Sequence, residues 1–184
     1  MSEEPRSRNA SATREAILLA ARQHFLKDGY DNTGLRAIAT DAGIDPALIN
    51  RYFGSKRQLF AEVLAAASKS PMETFLAGDR ATCGERVARA ILEAAAADQP
   101  RKLTFLGLVV GAMSSPEASA MAHEHIESHF IEPVSGWLGG PRAKERAWML
   151  ASFLLGVAIM KNINPERIPP RSRLAAQIQA MIDN

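Results

Sequence analysis

The stretch that decides the fold is TGLRAIATDAGIDPALINRYFGSKRQLF, residues 33–60. Within it Leu35, Ile38, Ala39 and Ala42 recur at i, i+3, i+4 and i+7, the spacing of a two-turn helix with one apolar face. Gly43 stands where such a helix stops. Two residues on, Asp45 is a good N-cap. Pro46 suits the first helical position, where a missing N–H is no loss. The next helix turns Ile49 and Phe53 inward with Tyr52 beside them, and turns Ala47, Asn50 and Arg51 outward. Gly54-Ser55 ends it, and Ser55 is placed to cap a longer helix from Lys56 to about Ser68. Helix, short turn with glycine, helix, all behind a supporting helix, is the helix-turn-helix arrangement.

The supporting helix is predicted from about Ala10 to Asp28, with Ile17, Ala21 and Phe25 on one face and Gly29 as its stop. Residues 1–9 are polar, carry Pro5, Arg6 and Arg8, and read as a mobile arm without the apolar segment of a secretory signal. Beyond Ser70, Pro71, Gly78 and Gly84 mark a transition to a second helical region. Helices are expected near 85–98, 101–113, 116–138, 141–162 and 171–183, bounded by Pro100, Ser115-Pro116, Gly139-Gly140-Pro141 and Pro169-Pro170. Pro133 predicts a kink or a split in the third of these. No run alternates with the period of two that a strand needs, so the fold class is all-α with about nine helices.

Composition narrows the function. Over 184 residues, 22 Lys+Arg against 20 Asp+Glu leave a net charge of +2, which excludes a polybasic coat and requires local basic patches. Cys83 is alone, so it forms no internal disulfide, supplies no cysteine zinc site and fits a reducing compartment. The longest strongly apolar run, Ala147 to Met160, falls short of the roughly 18–20 residues that cross a bilayer. A soluble, cytoplasmic protein is expected.

A helix laid in the major groove needs short or hydrogen-bonding side chains outward and phosphate donors on its flanks. Asn50 is able to pair bidentately with adenine, Arg51 with guanine, and Ala47 to pack on a thymine methyl. Thr33, Arg36, Ser55 and Lys56 flank them, and Lys56 at a helix N-terminus suits a phosphate oxygen. Charge alone leaves a solvated helix face equally open. Residues 31–57 hold four basic groups (Arg36, Arg51, Lys56, Arg57) against three acidic ones (Asp31, Asp41, Asp45).

Thr13-Arg14-Glu15-Ala16-Ile17, Ala21, Phe25, Gly29-Tyr30, Thr33, Ile38-Ala39, Ala42-Gly43-Ile44, Arg51-Tyr52-Phe53-Gly54-Ser55-Lys56 and Leu59-Phe60 together resemble the DNA-binding domain of TetR/AcrR-type transcriptional repressors. The resemblance covers about residues 10–62. It implies a DNA-binding domain over 10–70, with the helix-turn-helix at about 34–53, and an effector-binding and dimerisation domain over 71–184. It further implies a homodimer that sets two recognition helices in successive major grooves of a pseudo-palindromic double-stranded DNA operator. By position, Arg36 reaches a base, Ala47 and Asn50 face base edges, and Thr33, Tyr52 and Lys56 bind phosphates. Asn50 departs from the family's usual tyrosine, which bears on operator preference. Arg6 and Arg8 either add backbone contacts or belong to a solubilising tail.

In the second region, the stretch Ala147 to Met160 is apolar almost all round, so it needs two partners. One is the chain's own core. The other is either residues 171–183 or a second subunit, and the resemblance favours an intermolecular four-helix bundle with Trp148, Leu150, Leu154, Val157 and Ile178 at the interface. The resemblance also implies a pocket for a small apolar or amphipathic effector, with Phe105, Met113, Met121 and Trp137 as lining, although any one of these is also ordinary core. His123, His125 and His129 invite a metal reading, since His125 and His129 share a helical face. They do not form a His-Glu-x-x-His motif and no cysteine is near, so a solvated polar face is favoured and no metal or cofactor is expected. The expected function is a ligand-responsive, sequence-specific regulator and not an enzyme. Most readily it is a repressor released by its effector. The alternatives are an activator of the same family, a metal-dependent helical enzyme using the three histidines, or a helical scaffold.

Overall fold

The structure, a computed structural model, describes residues 4–93 and 104–183. Among the described residues all regular structure is helical. The helices are α1 (Glu4–Asn32), α2 (Leu35–Asp41), α3 (Pro46–Phe53), α4 (Lys56–Leu76), α5 (Cys83–Glu93), α6 (Thr104–Ala112), α7 (Pro116–Ile126), α8 (Glu132–Leu138), α9 (Ala143–Ile163) and α10 (Arg171–Asp183). A π turn over Glu127–Ile131 joins α7 to α8, so the two form one split segment and the count agrees with about nine. The split falls where Pro133 predicts it. A proline ring cannot sit over the carbonyl four residues back, and a widened turn makes room.

The chain divides into two compact units. The first comprises Met1–Ala66 and Gly107–Ala122, and the second Ala67–Leu106 and His123–Asn184. Residues 107–122, which follow the expected cut at residue 70, pack with the first unit. In that unit Ile17, Ala21, Ile38, Ala39, Ile49 and Leu59 are buried around an aromatic cluster. Phe25 and Phe60 meet edge to face at 5.0 Å, and Tyr30 lies 5.1 Å from Phe60. Such pairs add about 0.5–1.5 kcal/mol each beyond the area they bury. The second unit is centred on Phe75, Val87, Ile131, Leu138, Leu150, Leu174 and Ile178. Within it α5 and α10 approach so closely at Gly84 that a Cβ there would lie 2.3 Å from the Ala175 carbonyl oxygen.

Three expected boundaries move. Residues 4–9 are helical rather than part of a mobile arm, because Pro5 lies in the first turn, where no N–H is needed. The helix expected to end near Ser68 continues through Pro71 to Leu76. One lost backbone bond does not end a helix whose far end is anchored, and Phe75 is 1% exposed in the second unit's core. Gly84 lies inside α5 rather than before it. The stop at Gly29 stands, since its φ of 73° and ψ of 175° break α1 there. Pro100 and the ends of the two helices beside it fall outside the described residues.

Candidate nucleic-acid interface

The turn between α2 and α3 is built by backbone and cap bonds. Gly43 has a φ of +67°, its N–H donates to the Thr40 carbonyl at 3.1 Å, and the Ile44 N–H donates to the Ala39 carbonyl at 3.0 Å. That pair of bonds is the Schellman closure of a helix C-terminus. The Asp45 carboxylate accepts from the Ala47 N–H at 2.8 Å and starts α3 with Pro46 in its first turn. Ser55 then accepts from the Gln58 N–H at 3.1 Å and caps α4. Every one of these residues has the predicted role.

The orientation of α3 follows from its burial pattern. Ile49 and Phe53 are 0% and 4% exposed, whereas Ala47, Asn50 and Arg51 face solvent, as does Arg36 on α2. Tyr52 is half-buried beside Phe53. His24 bridges α1 to α2 through a 2.7 Å contact with Asp41. The Arg14 guanidinium lies 5.0 Å from the Phe53 ring and pairs with Glu62. The outward face of α3 is thus carried on a braced three-helix base.

One predicted contact residue is corrected. Thr33 is 3% exposed, and its hydroxyl donates to the Gly29 carbonyl at 2.6 Å. It satisfies a carbonyl at the α1 break and offers nothing to a phosphate. Lys56 is half-buried. Its ammonium donates to the Asp31 carbonyl at 3.2 Å and lies 4.6 Å from the centre of the Tyr30 ring. Sequence reasoning missed two residues in this corner. The Ser115 hydroxyl donates to Asp31 Oδ1 at 2.8 Å, and Glu117 lies 4.0 Å from Arg57. Burial above all, and then Glu117, push the Tyr30 hydroxyl up to about 12. The Ser-Pro-Glu cap signature was the available signal, but it marks a helix start and not what that start touches.

The four residues expected to line an effector pocket are divided between the two units. Met113 is 77% exposed, and Met121 is packed in the first unit at 4% exposure. In the second unit Trp137 meets Phe75 edge to face at 5.3 Å with the Arg80 guanidinium over its ring, and Phe105 lies 5.9 Å from the His125 ring. Met121, Trp137 and Phe105 are at least partly packed, and Met113 is not. A cavity of about 220 Å³ has a different lining, with Arg142, Glu145, Arg146, Met149 and Met181.

Of the three histidines, His123 and His129 are exposed as expected of a solvated face, and His125 is not. His125 is 7% exposed, bonds Ser68 through Nε2 at 2.7 Å, and stacks on His129 with ring centres 4.0 Å apart. Burial first, and His129 second, push it down to about 4. Parallel rings do not converge their nitrogens on one ion, and no group of three metal-binding side chains occurs among the described residues. His123 stacks instead on Trp148 at 5.8 Å. Cys83 is a buried structural thiol whose S–H donates to the Phe75 carbonyl at 3.3 Å, and burial pushes its pKa up.

Two of the five expected interface residues are unavailable, because Leu150 and Ile178 are 0% and 1% exposed in the chain's own core. Leu154, Val157 and Trp148 are partly buried against that core. The open side of α9 is instead a stripe of Met149, Gly156, Met160 and Ile163, spaced to share one helical face. With 21 residues, α9 is long and apolar enough to pass the length test for a membrane span, which the shorter run 147–160 did not. Its Arg146 and Lys161 are tied to backbone carbonyls of this chain, at Ile182 and at Ile91 and Leu92.

Residues 17–63 match the family described as "Bacterial regulatory proteins, tetR family", and residues 81–182 match "Tetracyclin repressor-like, C-terminal domain". The chain is similar to the HTH-type transcriptional repressor BepR of Brucella suis biovar 1 (strain 1330), 39% identical over 67 residues, which cover 36% of this chain and 32% of BepR. The matches span about a third of the length of the curated relatives. In fold, the chain is similar to GusR of Salmonella enterica, with a TM-score of 0.72, 18% identity, and coverage of 100% of this chain and 99% of that one. It is also similar to the multidrug binding protein EbrR complexed with ethidium, with a TM-score of 0.68, 18% identity, and coverage of 92% and 98%.

Proposed function

The chain belongs to the TetR family of bacterial transcription regulators, and on that premise we propose that it is a cytoplasmic repressor whose homodimer binds a pseudo-palindromic operator through α3. The observation that carries this reading is the exposure of Ala47, Asn50 and Arg51 on a helix fixed by a Schellman turn behind and an Asp45 cap in front. Asn50 reads adenine and Arg51 guanine, while Arg36 and Tyr52 reach the flanks and Lys56 a phosphate. Two such helices act together only at a fixed separation of about 34 Å, so a rigid dimer is required. The exposed α9 stripe of Met149, Met160 and Ile163 supports a second copy as the covering partner. A small apolar or amphipathic effector, of the kind ethidium represents for EbrR, releases the operator. A coupling of about 1–3 kcal/mol between the two sites changes affinity 5–150-fold.

The test is selection of random duplex DNA by the purified protein at two salt concentrations. A palindrome with half-sites about one helical turn apart is expected, and no enrichment at low salt refutes the reading. Lys56→Ala then weakens every duplex roughly alike and lowers the salt slope by about one. Asn50→Ala relaxes preference at one base position at a cost of about 1–3 kcal/mol.

A further inference from the structure

The break at Gly29 leaves residues 30–32 outside the regular path of α1, so helix geometry alone does not hold them. A side chain at the start of α7 does. Ser115, 2% exposed, donates to the Asp31 carboxylate at 2.8 Å and accepts from the Ala118 N–H at 3.3 Å as the cap of α7. Tyr30, next to Asp31, is 5% exposed. The same two residues, Tyr30 and Asp31, hold Lys56, one through its ring at 4.6 Å and the other through its carbonyl oxygen at 3.2 Å.

From this relay we infer that Ser115, about sixty residues away in sequence from the helix-turn-helix, is a positioning residue for the DNA-backbone contact of Lys56. The inference rests on the reading of Lys56 as a phosphate ligand. Two physical effects act in the same direction. Lysine is among the side chains with the most rotamer freedom to lose, and a lysine already placed surrenders less of it when a phosphate arrives. The bond from Ser115 also holds the Asp31 carboxylate through Oδ1, while Lys56 meets the neutral carbonyl of Asp31 and the Tyr30 ring. A released carboxylate becomes a competing anion for the same ammonium.

Ser115→Gly separates this role from simple capping, because glycine is tolerated at an N-cap but has no hydroxyl to donate. Duplex recovered by the wild-type protein is titrated with wild type, Ser115→Gly, Lys56→Ala and the double variant at two salt concentrations. We expect Ser115→Gly to weaken binding about two- to tenfold with a shallower salt slope, and to have no further effect in the Lys56→Ala background. Equal losses in both backgrounds, or no loss with wild-type protein that binds, overturn the positioning role and leave the repressor reading intact. Failure of the wild type to bind any duplex overturns the reading itself.

Discussion

Replacing Gly84 with alanine tests the tightest contact in the second unit. An added Cβ would stand 2.3 Å from the Ala175 carbonyl oxygen and 2.9 Å from both the backbone nitrogen and the Cβ of Gln179. Two of those three atoms are backbone of α10, so no side-chain rotation relieves the clash and α5 must move off by about 1 Å. That movement also stretches the bond from the Gly84 N–H to Gln179 Oε1, now 3.0 Å, and the one from Gln179 Nε2 to the Arg80 carbonyl, now 3.1 Å. Overpacking of this kind costs about 1–3 kcal/mol. Exchanging glycine for alanine within a helix returns about 0.5–1 kcal/mol, and less in a first turn. The clash wins, by about 1–2 kcal/mol, and for a chain of this size Tm falls by about 2–8 °C. Thermal unfolding followed by circular dichroism is the assay. Gly136→Ala, exposed in α8 with nothing within 4 Å of its added Cβ, is the control and should be slightly more stable than wild type. A Gly84→Ala protein that matches or exceeds wild type would refute the close packing of α5 on α10.

Two further predictions concern the second unit. His125 is held near 4 when folded, against an ordinary 6.5, so the unfolded chain takes up the proton first as pH falls. The stability tied to its neutral form is present above pH 6.5 and lost between 6.5 and 4. Urea midpoints measured across that window should fall for wild type and fall less for His125→Gln. If α9 forms the proposed dimer interface, Met160→Glu combined with Ile163→Glu should convert that dimer to a folded monomer in sedimentation velocity, with helical content unchanged. A dimer that survives both charges places its interface elsewhere.

The helix-turn-helix was legible because its signals are local. Gly43, Asp45, Pro46, Gly54 and Ser55 act through backbone bonds within a few residues of themselves, and each is found in its predicted role. Thr33 was misread because its partner is set by the break at Gly29, a three-dimensional event that sequence spacing does not carry. The same holds for Ser115, whose cap function was visible but whose bond to Asp31 spans 84 positions. Leu150 and Ile178 looked no different from Met149 and Met160 in sequence, because a helix apolar all round does not say which side its own chain covers. Met113 and Met121 show the converse. They share a residue type, while one is left in solvent and the other is fully packed.

The π turn between α7 and α8 sets the angular phase of everything up to Gly139. Each residue advances an α-helix by about 100°, so one residue fewer within Glu127–Ile131 would rotate Val134 and Leu138, now 0% and 5% exposed, away from the second unit's core. A single-residue deletion there acts as a rotation and not a shortening. An aligned relative with a gap at this point therefore presents a different face of α8 even where every other residue is identical.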